Sequence, residues 1–176
     1  WQMDNPDGDA LRYRRRFRAE NQAVWRDMLR ESVVHTDANY TWDTASLPDG
    51  YYLVEVEASD ENANPRELRL TSRAVSEPIR VDNHAPVIEG LALQGARVSG
   101  RAVDTLGPIA RLEVAIDGGE FRDVFPVDHL LDTAVERFEV ELQELPPGPH
   151  VVAVRATDAN GNAVTAEIEH SPSPRR

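Results

Sequence analysis

From Tyr52 onward the chain alternates with period two: Tyr52, Val54, Val56 and Ala58 are set against Leu53, Glu55, Glu57 and Ser59. This is the pattern of a strand that buries one face. His150, Val152, Val154 and Ala156 repeat it. The two stretches are copies, because LPDGYYLVEVEASDENAN (47–64) and LPPGPHVVAVRATDANGN (145–162) agree at Leu47/Leu145, Pro48/Pro146, Gly50/Gly148, Val54/Val152, Val56/Val154, Ala58/Ala156, Asp60/Asp158, Asn62/Asn160 and Asn64/Asn162. In each copy, Leu-Pro-x-Gly ahead of the strand is a turn whose proline presets one dihedral and whose glycine permits a positive one. Asp-x-Asn-x-Asn behind the strand supplies short polar side chains that cap backbone amides.

The same alternation predicts further strands at Leu11-Tyr13-x-x-x-Phe17, Trp25 and Tyr40-x-Trp42, then at 87–93, 96–103, Ile109 to Ile116, Phe121 to Val124 and Phe138 to Leu142. Glycine, proline or Asp/Asn clusters separate them. Short strands so spaced predict antiparallel sandwiches. The one stretch of helical character, AVWRDMLRE at 23–31, is read as a strand with a turn. A repeat offset near the common domain size assigns 1–82 to a first domain, 83–170 to a second and 171–176 to a flexible tail. The second copy has two apolar strands ahead of Ile109, whereas the first has only Trp1 ahead of Leu11. The expectation is therefore an all-β protein of two tandem antiparallel sandwiches, the first lacking its N-terminal strands, in a fragment of a longer protein.

Composition narrows the function. A formal charge of −12 argues against nucleic acid, whose phosphates it would repel. The absence of cysteine removes disulfides, thiolate catalysis and cysteine-ligated zinc. No apolar run approaches the ~20 residues of a membrane helix.

The run Leu47-x-x-Gly50-x-Tyr52-x-Val54-x-Val56-x-Ala58 resembles the corner and following strand of fibronectin type III and related immunoglobulin-like domains. That resemblance implies a hydrogen bond from Tyr52 back across the corner; His150 stands in its place in the second copy. Taken in order, WQMDNPDGDALRY, WDTASLPDGYY, ASDENANP, SEPIRVDNHAP, IDGGEFRDVFPVD and ATDANGN resemble the tandem C-terminal domains of secreted bacterial proteins that carry β-propellers. This resemblance implies a non-catalytic, extracytoplasmic spacer or protein-interaction module that is periplasmic, secreted or at the cell surface. Its partners would be a neighbouring domain of the same polypeptide, such as a propeller, or another protein or cell-surface molecule. It implies no cofactor.

Site chemistry is sparse. In a sandwich of this topology the loops after the second and sixth strands meet where the chain enters, so Asp104, Asp158, Asn160 and Asn162 should approach Asp82 and Asn83. Calcium prefers six to eight oxygen ligands of this kind. The DNHAP segment also resembles cadherin linkers, where calcium stiffens the joint. Asx-turns without an ion are the competing explanation. Asp4, Asn5, Asp7 and Asp9 with Asp60, Asn62 and Asn64 form the corresponding set in the first domain, read as a solvated turn.

In RYRRRFR, Arg12, Arg14, Arg16 and Arg18 share one face, read as paired across strands to acidic residues, the rival being a basic stripe for an acidic partner. Arg15 falls on the inward face. Asp128, Asp132 and Glu136 could be drawn as a hydrolase's paired carboxylates but read better as a surface loop. The five histidines lack metal-ligand spacing. Trp42 and Phe121 fall in phase with the core, whereas Tyr51 is out of phase with Tyr52 and is the aromatic left for a carbohydrate. The alternatives to the spacer reading are thus a calcium-stiffened, adhesin-like module and a carbohydrate-binding one.

Overall fold

The computed structural model describes residues 5–30, 33–142 and 148–170. Trp1, Asp4, Leu145, Pro146 and the tail 171–176 lie outside the described residues. The chain divides into two compact units, Trp1–Val81 and Asp82–Arg176, so that Asp82 groups with the second. Both are built from antiparallel strands, and no helix of the described residues is long and apolar enough to cross a membrane.

The first unit forms one sheet from β1 (Arg12–Ala19), β2 (Arg26–Asp27), β3 (Gly50–Ser59), β4 (Thr71–Val75) and β5 (Ile79–Val81). Its order is β2-β1-β3-β4, with β5 also paired to β3. The second unit has seven strands: β6 (Val87–Gln94), β7 (Arg97–Val103), β8 (Ile109–Ile116), β9 (Arg122–Val124), β10 (Val135–Glu141), β11 (His150–Asp158) and β12 (Ala163–His170). They make two sheets, β10-β7-β6 and β12-β11-β8-β9. Its first, second and fifth strands thus face its third, fourth, sixth and seventh, in the order of a fibronectin type III sandwich.

The copied stretches hold equivalent places. Tyr13, Arg15 and Phe17 pair with Ala58, Val56 and Val54, while Leu112, Val114 and Ile116 pair with Ala156, Val154 and Val152. Each unit also has its own core. Val98, Ala102, Ile109, Leu112, Phe138, Val152, Val154 and Ala156 fill the second, whereas Tyr13, Val56 and Ala58, with Leu11 and Val54 against them, form the first. Full burial of each large aliphatic or aromatic side chain contributes roughly 1.5–3 kcal/mol.

The first unit shows no counterpart of β6 or β7 among its described residues. One consequence overturns an expectation: Tyr40-x-Trp42 is not a strand. Its counterpart, β10, is paired to β7, with Phe138 opposite Gly100 and Val140 opposite Val98. Without such a neighbour, 37–43 crosses as coil. It is anchored by side chains instead: Trp42 packs on Phe17 at 4.9 Å between centroids and edge-on to Tyr52 at 6.2 Å. Arg15, 3% exposed, points inward as its phase in the strand requires. Its Nη2 donates to the carbonyls of Asp37 (2.6 Å) and Ala38 (3.1 Å), and the guanidinium lies 5.2 and 5.3 Å from the rings of Tyr13 and Tyr40.

The Tyr52 hydroxyl donates to the Pro48 carbonyl at 2.8 Å, the corner bond that the resemblance implied. In the second unit His150 Nδ1 instead meets Asp117 Oδ2 at 2.7 Å. Asp117 and Gly118 both have positive φ, the type I′ pattern that favours Asp-Gly. Among the described residues of 23–31, only Arg26–Asp27 pairs as a strand, against Arg16 and Phe17.

Candidate metal centre

Asp104 follows β7, Asp158 ends β11, and Asp82 opens the second unit. The pairing of β11 with β8 shifts register between Thr157 and Asp158, where β11 finishes. One carboxylate oxygen from each of the three residues lies within 4.8 Å of the others. The side chains are buried, at 8, 7 and 2% exposure for Asp82, Asp104 and Asp158.

The hydrogen bonds show how the loops are held. Asp104 Oδ1 accepts from the amides of Leu106 (2.8 Å) and Gly107 (2.7 Å). Asp158 Oδ1 accepts from the amides of Asn160 (2.8 Å) and Asn162 (2.9 Å), and its Oδ2 from Asn162 Nδ2 (2.8 Å). Asn162 Nδ2 and Asn160 Nδ2 also reach the Asp82 carbonyl, at 3.0 and 3.4 Å. Asx-turns are therefore present, yet they do not neutralise the site: Asp104 and Asp158 form no ion pair with an arginine or histidine among the described residues. Calcium–oxygen distances of 2.3–2.6 Å put opposite ligands about 5 Å apart, so the spread of the three oxygens fits a calcium ion.

Of the residues expected here, Asp82, Asp104 and Asp158 converge; Asn160 sits exposed at the rim, and Asn83 follows Asp82 half-buried. Asn162 binds the cluster most closely among the amides. In the first unit Asn64, its counterpart, donates to both Asp9 Oδ2 (2.8 Å) and Asp60 Oδ2 (3.0 Å). A pair of carboxylates is bridged there by one amide, whereas the second unit brings a third acid.

The other candidates resolve into scaffold. Arg12 pairs with Glu61, Arg14 with Asp27 and Arg16 with Glu55, while Arg18 donates to backbone carbonyls, including Glu20 O at 2.8 Å, and lies over Trp25. Glu136, 2% exposed, accepts from the amides of Asp132 and Thr133 and from the Thr133 hydroxyl, tying its loop; Asp128 accepts from Leu130 N. Phe121 is not core: it is half-buried on the outer face, its ring 4.0 Å from the Arg155 guanidinium. Arg155 in turn forks onto buried Glu113 at 2.7 and 2.8 Å, holding that carboxyl below the usual carboxylate range against the opposing effect of burial.

Strand order and register define the class, an all-β protein with a fibronectin III-like sandwich. No family model matches the chain, and no curated protein matches it. Among solved structures it is similar to the fibronectin(III)-like modules of Clostridium thermocellum CbhA, at 17% identity and a TM-score of 0.45, over 96% of this chain and 80% of that one.

Proposed function

We propose that the chain is a non-catalytic spacer and interaction module of an extracytoplasmic bacterial protein, and that its second unit holds a calcium ion through Asp82, Asp104 and Asp158, with Asn83 and Asn160 beside them. The observation that carries the calcium reading is the convergence of three buried carboxylates within 4.8 Å where the second unit begins. At that distance each pair of like charges repels by roughly 3 kcal/mol at the effective dielectric of a protein, a cost that a divalent cation turns into attraction. The ion would fix the segment entering the sandwich to the β7–β8 and β11–β12 loops.

The interaction reading is supported by the first unit's edge. Every residue of β4 is exposed, and Leu68, Leu70, Val75 and Ile79 present apolar surface along or beside it. Such an edge is a template for an added strand. The partner would be a neighbouring domain of the same polypeptide, such as a propeller, or a cell-surface protein.

Isothermal titration of the chelator-stripped chain with calcium tests the metal. One equivalent should bind, and Asp82→Ala should abolish binding. Titration without heat, together with no shift of the amides of Leu106, Gly107, Asn160 and Asn162 in NMR spectra, would remove the ion and leave a plain spacer.

A further inference from the structure

A second site lies at the far end of β1 and β3 in the first unit, and it does not depend on the calcium reading. A cavity of about 340 Å³ is lined there by Glu20, Asn21, Asp49, Gly50 and Tyr51. Tyr51 is 44% exposed, because it points away from the core that Tyr52 fills. Its strand position is fixed by the amide of Glu20, which donates to its carbonyl at 2.8 Å, and by pairing with Arg80. The aromatic rings of this unit otherwise stack on one another or on arginines: Trp42 on Phe17, Tyr40 on His35, Trp25 under Arg18. Among the described residues, no ring or cation covers that of Tyr51. The exposed side chains of Glu20 and Asn21 make no hydrogen bond or ion pair there either. Nothing lies within 4 Å of where a side chain on Gly50 would begin, so the floor beside the ring is open.

We infer that this cavity binds a neutral sugar chain, one ring lying on Tyr51 with its hydroxyls donating to Glu20 and Asn21. A pyranose with equatorial hydroxyls has a flat C–H face that suits an aromatic ring and a rim of donors that suits carboxylate and amide oxygens. Size agrees, since small-molecule sites begin near 300 Å³. Charge selects within the class: the Glu20 carboxylate in the cavity and a chain of net charge −12 disfavour uronates and sulfated sugars.

The test is an NMR titration of the ¹⁵N-labelled chain with cellotetraose, a neutral oligosaccharide of all-equatorial rings, and with trigalacturonate as its acidic counterpart. Saturable shifts are expected with cellotetraose at the amides of 19–21 and 49–52, and none with trigalacturonate. Tyr51→Ala should weaken binding about tenfold, in line with the loss of a stacked aromatic contact. Tyr51→Phe, which keeps the ring, should bind as the parent does, and Asn21→Ala should bind more weakly. The inference is overturned if cellotetraose leaves these amides unmoved, if trigalacturonate moves them equally, or if Tyr51→Ala and the parent titrate alike.

Discussion

Replacing Asp104 by asparagine separates charge from shape at the acidic cluster. The amide oxygen of an asparagine can still accept from Leu106 N and Gly107 N, which Asp104 Oδ1 now meets at 2.8 and 2.7 Å. What disappears is one of three negative charges within 4.8 Å. Each pair contributes roughly 3 kcal/mol of repulsion before solvent reduces it, and Asp104 belongs to two pairs. In chelator, then, Asp104→Asn should melt at or above the parent's temperature. Calcium reverses the order: at a hundred times its dissociation constant a bound ion stabilises by about 2.7 kcal/mol, or about 10–20 °C in a domain of this size. The parent should gain that increment between EGTA and calcium, and the variant should gain almost none. Scanning calorimetry of both proteins in both buffers, with magnesium as a third condition, reads all of these quantities. Equal parent melting in EGTA and calcium would refute the ion, and a variant that melts below the parent in EGTA would show that the carboxylate serves its turn alone.

Other outcomes follow from the packing. Tyr52→Phe deletes the 2.8 Å bond to Pro48 and should cost about 1 kcal/mol in denaturant unfolding of the first unit. Gly100→Ala places a methyl 2.7 Å from Phe138 Cζ, so it should destabilise the second unit by about 1–3 kcal/mol, and Phe138→Leu in the same chain should recover part of the loss. Glu113→Gln should cost about 2 kcal/mol at neutral pH through the broken fork with Arg155. Because the Glu113 carboxyl titrates below its ordinary value of 4.5 when folded, its contribution is complete above that pH and fades as pH falls through the lower folded value; the variant's acid unfolding profile should be flatter there. Asp117, likewise held low, first by the bond from His150 and then by the Val151 amide, should lose its contribution over the same acid limb, and His150→Ala should weaken but not remove that pH dependence.

The strands that follow core burial were legible in the alternation, β3 and β11 above all, and the duplication located their equivalence. β4 escaped the pattern because all five of its residues are exposed, leaving no apolar phase to read. β2 is two residues long, too short for any periodicity. Tyr40 and Trp42 misled for the opposite reason: their alternation is that of β10, but a strand also needs a neighbour's backbone, which composition does not reveal. Phe121 has the chemistry of a core residue and found a guanidinium instead. The gathering of Asp82 with Asp104 and Asp158 could be anticipated from loop topology, whereas the two hydrogen bonds from Asn162 Nδ2 to Asp82 O and Asp158 Oδ2 depend on loop geometry finer than spacing.

At one position the two copies have diverged in kind. Arg15 and Val114 hold the same register against Val56 and Val154, yet one is a guanidinium bonded to carbonyls and set against tyrosines, and the other a small aliphatic in a closed interior. Tandem domains of similar sequence are prone to trade strands with their neighbours while folding. A β1 inserted where β8 belongs would carry a cation into hydrocarbon, and a β8 in place of β1 would leave two carbonyls without their donor. The difference between Arg15 and Val114 makes each of these strands a poor template for the other.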